Sequence, residues 1–199
     1  MEAPVLRTKF FIPPSRSEVV SRPRLFTLLN QGLDKRITTV CAPAGFGKST
    51  LVSAWTQSVK PRVAWLSLDS ADNDLTRFWT YVISALQTID SSIGDVALAA
   101  VTRAQEGEIL NIVSGFINDL VENSSEMILV LDDYHHVDSS TVNDSFLFFV
   151  ENTPTNLHLV LLSRSDPAWP LAKFRARNQL AEIRAQDLRF TESETDAFL

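Results

Sequence analysis

The chain has 199 residues, 45% hydrophobic and 21% charged, with 18 Lys+Arg against 24 Asp+Glu and a net charge of -6. That length and balance fit about one globular domain and exclude a disordered tail, a fibre and a disulfide scaffold. The acidic excess argues against a general DNA-holding field, and one cysteine with three histidines supplies neither an internal disulfide nor a zinc-ligand set.

In chain order, residues 1–24 are punctuated by Pro4, Pro13, Pro14 and Pro23 and read as an irregular lead-in. Leu25–Leu29 predicts a short helix that stops near Gly32. Four apolar runs follow, Ile37–Cys41, Val63–Leu68, Met127–Leu131 and His158–Leu162, with a weaker fifth at Ala181–Arg184. None of the four alternates polar with apolar, the pattern of strands buried on both faces of a parallel sheet. Helical spacing of apolar residues marks Leu75–Leu86, Ile109–Leu120 and Val142–Phe149 between them. Strands alternating with helices predict an α/β sandwich, with a mostly parallel five-stranded sheet and helices on both faces. Near the end, Thr191-Glu192-Ser193-Glu194 has the form of a capping box that opens a helix, and Ala197-Phe198-Leu199 begins its apolar face. A helix that short is marginal alone, so the expected reading is the start of a truncated downstream region. Met1-Glu2-Ala3-Pro4 does not open a signal peptide, and no run approaches the ~20 apolar residues of a membrane span. A soluble, cytoplasmic protein without membrane contact is expected.

Ala42-Pro43-Ala44-Gly45-Phe46-Gly47-Lys48-Ser49-Thr50 follows the first strand directly and leads into a helix predicted over Thr50–Gln57. This strand, loop and helix N-terminus form a Walker A context, in which backbone N–H groups and the helix terminus attract phosphate. Gly45 and Gly47 let the backbone approach the anion, Lys48 would reach the β- and γ-phosphates, and Ser49 would ligate Mg²⁺. Ala42 stands where the full pattern has glycine, which restricts the first turn without removing a ligand. Met127–Asp133 has the form of a Walker B strand: Asp132 would hold Mg²⁺ through water, and Asp133 would polarise an attacking water. Ser163-Arg164 ends the next strand, where a guanidinium would face the γ-phosphate; a surface pairing of Arg164 with Asp166 is the alternative. The cofactors expected are ATP or ADP with Mg²⁺. The organisation expected is a lead-in and short helix over 1–36, a P-loop NTPase domain over 37–190, and the start of a further helix over 191–199.

With these motifs in place, the chain resembles the N-terminal nucleotide-binding domain of MalT-type transcriptional activators, large ATP-binding regulators of the LuxR family within the STAND class of P-loop ATPases. The matching stretches are Ala42–Thr50, Trp65–Asp69 with Asp72-Asn73 and Arg77-Phe78, Leu131–His135, Leu162–Arg164 and Leu171–Arg177. The similarity runs from about Leu6 to the last residue. It implies a switch: ADP holds a closed monomer, ATP exchange favours self-association, hydrolysis resets the state, and DNA is bound only through domains absent here. It also implies an adenine-side segment at Val19-Val20-Ser21-Arg22, with Arg22 facing the nucleotide. Two other classes stay open: a free-standing P-loop ATPase or kinase, and the same switch module on a signalling kinase or defence protein.

Around these motifs, His135 reads either as a γ-phosphate sensor or as a support for Asp133, and His136 as a solvent-facing neighbour. Trp55, Trp65, Trp79 and Trp169 read as packing, and Cys41 as an inert buried thiol. Lys173, Arg175 and Arg177 read as a solvated helix face or a self-association surface.

Overall fold

A computed structural model describes residues 5–14 and 20–196. Val19 of the segment before Arg22, and Ala197, Phe198 and Leu199 of the expected C-terminal helix, lie outside the described residues. Five strands, β1 (Ile37–Cys41), β2 (Arg62–Ser67), β3 (Met127–Asp132), β4 (Leu157–Ser163) and β5 (Leu180–Arg184), form one sheet in the order β2-β3-β4-β1-β5. Every pairing is parallel, so the expected mostly parallel sheet is all-parallel.

The three inner strands explain why their sequences lack alternation. Every residue of β1, β3 and β4 is buried. Successive side chains of a strand point to opposite faces, and here both faces are covered. Met127, Leu129, Leu131, Leu159 and Leu161 enter one core, beneath α3 (Leu75–Gln87), α5 (Ile109–Glu122) and α6 (Ser140–Asn152). Ile128, Val130, Val160 and Leu162 enter the other, beneath α1 (Pro23–Gly32) and α2 (Lys48–Thr56). The larger core is aromatic, with Trp79 edge-on to Phe149 at 5.4 Å and its indole N–H donating to Ser145 Oγ at 3.0 Å. In the smaller core, Trp55 is fully buried and donates to Asn30 Oδ1 at 2.8 Å.

Two short helices, α4 (Asp95–Val101) and α7 (Leu171–Ala176), add to the elements expected from periodicity. The last, α8 (Glu192–Asp196), starts with the expected capping box: Thr191 N–H donates to Glu194, and Glu194 N–H to Thr191 Oγ1. Among the described residues, no helix is long and apolar enough to cross a membrane.

The strand order places the chemistry. Since β4 lies between β1 and β3, the loops after β1 and β3 flank the end of β4. Cys41 is in register with Ser163, Leu131 with Leu161, and Ser67 with Asp132. The carboxyl ends of these strands therefore share one edge of the sheet, where open α/β sheets hold ligands.

Candidate functional site

The loop 42–47 leaves β1 and turns into α2 through Gly45 (φ 83°) and Gly47 (φ 74°), the residue that precedes the helix. A Cβ at either glycine would meet no heavy atom within 4 Å, so the left-handed backbone, not crowding, demands glycine there. Ala42 has an ordinary negative φ, and its N–H donates to Ser163 O at 3.2 Å. The first position of the loop thus needs no glycine in this chain, which explains how it tolerates the departure.

Lys48 is buried, and its ammonium donates to Ala42 O at 2.8 Å and Pro43 O at 3.2 Å, folding the side chain back across the loop. Burial lowers its pKa, with Asp133 and Asp132 partly opposing the shift. Ser49 Oγ donates to Asp132 Oδ1 at 3.0 Å. That bond joins the start of α2 to the end of β3 across the tip of β4. Asp132 is 5% exposed, and burial pushes its carboxyl up to about 6 despite the bond from Ser49.

Asp133 follows in the left-handed conformation, φ 57° and ψ 36°, with its own N–H donating to Asp132 Oδ1 at 2.9 Å. A non-glycine residue there costs of order 1–3 kcal/mol and persists only where its surroundings over-determine it. Its carboxylate is half exposed, 3.8 Å from His135 Nδ1. Both ring nitrogens of His135 are buried and make no hydrogen bond. Burial lowers the His135 pKa, reinforced by His136 and Arg164 and opposed by Asp133. Arg164, at the end of β4, is exposed and makes no hydrogen bond or ion pair among the described residues. Asp166, its alternative partner from the sequence, pairs bidentately with Arg184 instead.

The fold thus gathers Ala42–Thr50, Asp132, Asp133, His135 and Arg164 at one edge. The residues suit a magnesium nucleotide: backbone amides in a glycine turn, an available guanidinium, and one hydroxyl–carboxylate pair. Mg²⁺ is commonly held by one or two such ligands with phosphates and water completing the shell. Among the described residues, no group of three or more His, Cys, Asp or Glu forms a metal cage.

Arg22, which the resemblance implies faces the nucleotide, is engaged by the C-terminal segment. Its guanidinium donates to Leu188 O and Arg189 O, both at 2.9 Å, and to Glu194 at 3.2 Å, so it holds the C-terminal segment against the start of α1. Lys173 pairs with Glu151 and Arg175 with Glu182, which neutralises two of the three residues in the basic cluster. Sequence reasoning read Trp169 as packing and gave no role to Tyr134, Asn143 or Asn73, which brace the site. Tyr134 donates to Asn143 Oδ1 at 3.0 Å and meets Trp169 at 5.4 Å, joining the loop after β3 to the loop after β4. Asn73 reaches the loop after β3 from the turn after β2. Asp72-Asn73 was visible only as part of a resemblance, because the loop that Asn73 reaches lies more than sixty residues away in the chain.

No protein-family model matches the chain. Among solved structures, it is similar to a Pyrococcus horikoshii signal transduction ATPase with numerous domains that carries a tetratricopeptide repeat sensor. That match has 14% identity and a TM-score of 0.63, covering 98% of this chain and 27% of the other. A Walker-type ATPase of Pyrococcus abyssi matches with 16% identity and a TM-score of 0.55, over 94% and 59% of the two chains. The Aeropyrum pernix ORC1 protein, solved with DNA, matches with 15% identity and a TM-score of 0.50, over 89% and 46%. The chain spans less than two thirds of each of these proteins. At such identities the likeness concerns the fold: an α/β P-loop NTPase fold with a five-stranded all-parallel sheet.

Proposed function

We propose that the chain is an ATP/ADP-binding switch domain, with phosphates on the Ala42–Thr50 loop and Mg²⁺ between Ser49 and Asp132. The observation that carries this reading is the 3.0 Å bond from Ser49 Oγ to Asp132, two motifs 83 residues apart in sequence. Lys48 would leave the carbonyls of Ala42 and Pro43 for the β- and γ-phosphates. Its short reach within the loop keeps the charge in place before ligand arrives. Mg²⁺, when bound, would neutralise charge on the β- and γ-phosphates. Asp133 would orient the attacking water and accept its proton, with His135 beside it and Arg164 facing the γ-phosphate from the end of β4. Hydrolysis is slow in this reading, because the site has a carboxylate base but its guanidinium is exposed and unbraced.

The likeness in fold to a signal transduction ATPase and the resemblance to MalT-type activators support the wider reading: nucleotide exchange controls self-association, and DNA is bound only through other domains of a longer protein. The test is calorimetric titration of ADP and Mg-ATP into the wild type and Lys48→Ala. Binding to the wild type that Lys48→Ala weakens by about a hundredfold or more is expected, since a charge-assisted contact to phosphate is lost. Equal binding to both proteins would contradict the site. Tighter binding of ADP than of Mg-ATP would favour a resting switch over a continuously turning ATPase or kinase.

A further inference from the structure

Asn73 ends the single 3₁₀ turn Ser70–Asn73 between β2 and α3. Its carboxamide Nδ2 donates to Ser70 O at 3.1 Å and His136 O at 2.7 Å. Its Oδ1 accepts from the N–H groups of Asp138 and Ser139, both at 2.8 Å. An asparagine side chain has two donors and two acceptor lone pairs, so this one is fully used. Three of the four bonds cross to the loop that carries Asp133.

The turn that presents Asn73 is itself fixed. Asp69 and Asp72 form a capping box, with Ala71 N–H donating to Asp69 and Asp69 N–H to Asp72, both at 2.8 Å. Asp72 is fully buried and accepts from Lys9 of the lead-in and from Arg77 Nε at 3.0 Å. Opposite, Asn143 of α6 donates to Val137 O at 3.1 Å and Ser139 O at 3.0 Å. Residues 136–139 are therefore gripped from both sides by side-chain amides. Inside that grip, His136 N–H donates to Asp133 O at 3.0 Å, which ties the clamped backbone directly to the left-handed residue.

We infer that Asn73 is a positioning residue for Asp133: it clamps the backbone of His136, Asp138 and Ser139 and so holds the Asp133 carboxylate at the edge shared with Asp132 and the phosphate loop. It touches neither nucleotide nor metal. This inference rests on the proposed role of Asp133 in hydrolysis. The Asn73 clamp links the loop to the sheet's β2 side and, through Asp72 and Lys9, to the lead-in.

The experiment compares wild type, Asn73→Ala and Asn73→Asp in three readouts: ADP affinity, single-turnover hydrolysis of Mg-ATP, and amide hydrogen exchange over residues 133–139. Asn73→Ala is expected to keep ADP affinity within about twofold while hydrolysis slows by about ten- to a hundredfold, the cost of misplacing a reacting group. Exchange at Asp138 and Ser139 should quicken, because their acceptor is gone. Asn73→Asp keeps that acceptor, so it should restore protection at both amides and recover part of the rate. If Asn73→Ala does not fold, Asn73→Asp carries the same prediction, slower than wild type and with ADP affinity retained. Unchanged exchange in Asn73→Ala would overturn the clamp. Unchanged hydrolysis, or an equal loss of affinity and rate, would overturn the positioning role. A wild type that binds nucleotide and never turns over fails differently: it contradicts hydrolysis through Asp133 itself, and the positioning role falls with it.

Discussion

Asp132 carries the pH response of the site. Burial raises its pKa to about 6 in the ligand-free protein, so folding favours the protonated carboxyl. For the free protein this group contributes stability below its unfolded value near 3.8, and that contribution is lost as pH rises toward 6. Mg²⁺ requires the opposite form, the carboxylate. The Mg²⁺-dependent part of ATP affinity should therefore be full above about pH 6 and fall by about tenfold per unit below it, as expected for one proton competing with the metal. Titrations with and without Mg²⁺ between pH 5 and 8 measure this, and Asp132→Asn should weaken Mg²⁺ dependence and flatten the profile. Lys48, Ser49 and Asp132 were legible in the sequence because their chemistry is written in contiguous motifs beside buried strands. The bracing role of Asn73 was not, because its bonds reach a loop more than sixty residues further along the chain, which only the folded chain brings beside it.

At the scale of elements, His158 shows how a buried polar group locks two strands. Near the start of β4 it lies within hydrogen-bond distance of Thr38 Oγ1 in β1 (3.0 Å) and Lys35 O (2.9 Å). Burial lowers its pKa to about 4, so the folded protein holds it neutral. Its contribution to stability is full above the unfolded value near 6.5 and is lost as pH falls through that value toward 4. Across that window it amounts to about 3 kcal/mol, at 1.36 kcal/mol per unit. Urea unfolding at pH 7 and pH 4.5 should show the loss in wild type and a smaller one in His158→Gln; comparing the two proteins cancels the opposing Asp132 contribution. An identical pH slope in both would contradict the assignment. The buried strands and longer helices were legible because burial on both faces and helical spacing leave clear patterns. The short α4 was not, since seven residues are too few to display a period. Nor could periodicity give the insertion of β4 between β1 and β3, which decides where the motifs meet.

Across the whole molecule, the net charge of -6 conceals a local arrangement. The edge bearing the phosphate loop offers Lys48 and Arg164, whereas Arg175, Glu182, Arg184 and Asp166 neutralise one another along β5. Arg22 and Arg24 both grip Glu194, so the C-terminal segment is docked on α1. At the opposite end of the strands, a cleft of about 370 Å³ lined by Asp34, Lys60, Glu126 and His158 offers a rival location for a small ligand. The two ends can be told apart directly. Amide chemical shifts of the chain, followed by NMR as Mg-ADP is added, test whether phosphate occupies the loop between β1 and α2. The largest changes are expected at Gly45, Gly47, Lys48 and Ser49, with Mg²⁺-dependent changes at Asp132 and Asp133. Changes confined to Lys60, Glu126 and His158, with Gly45–Ser49 silent, would contradict the account.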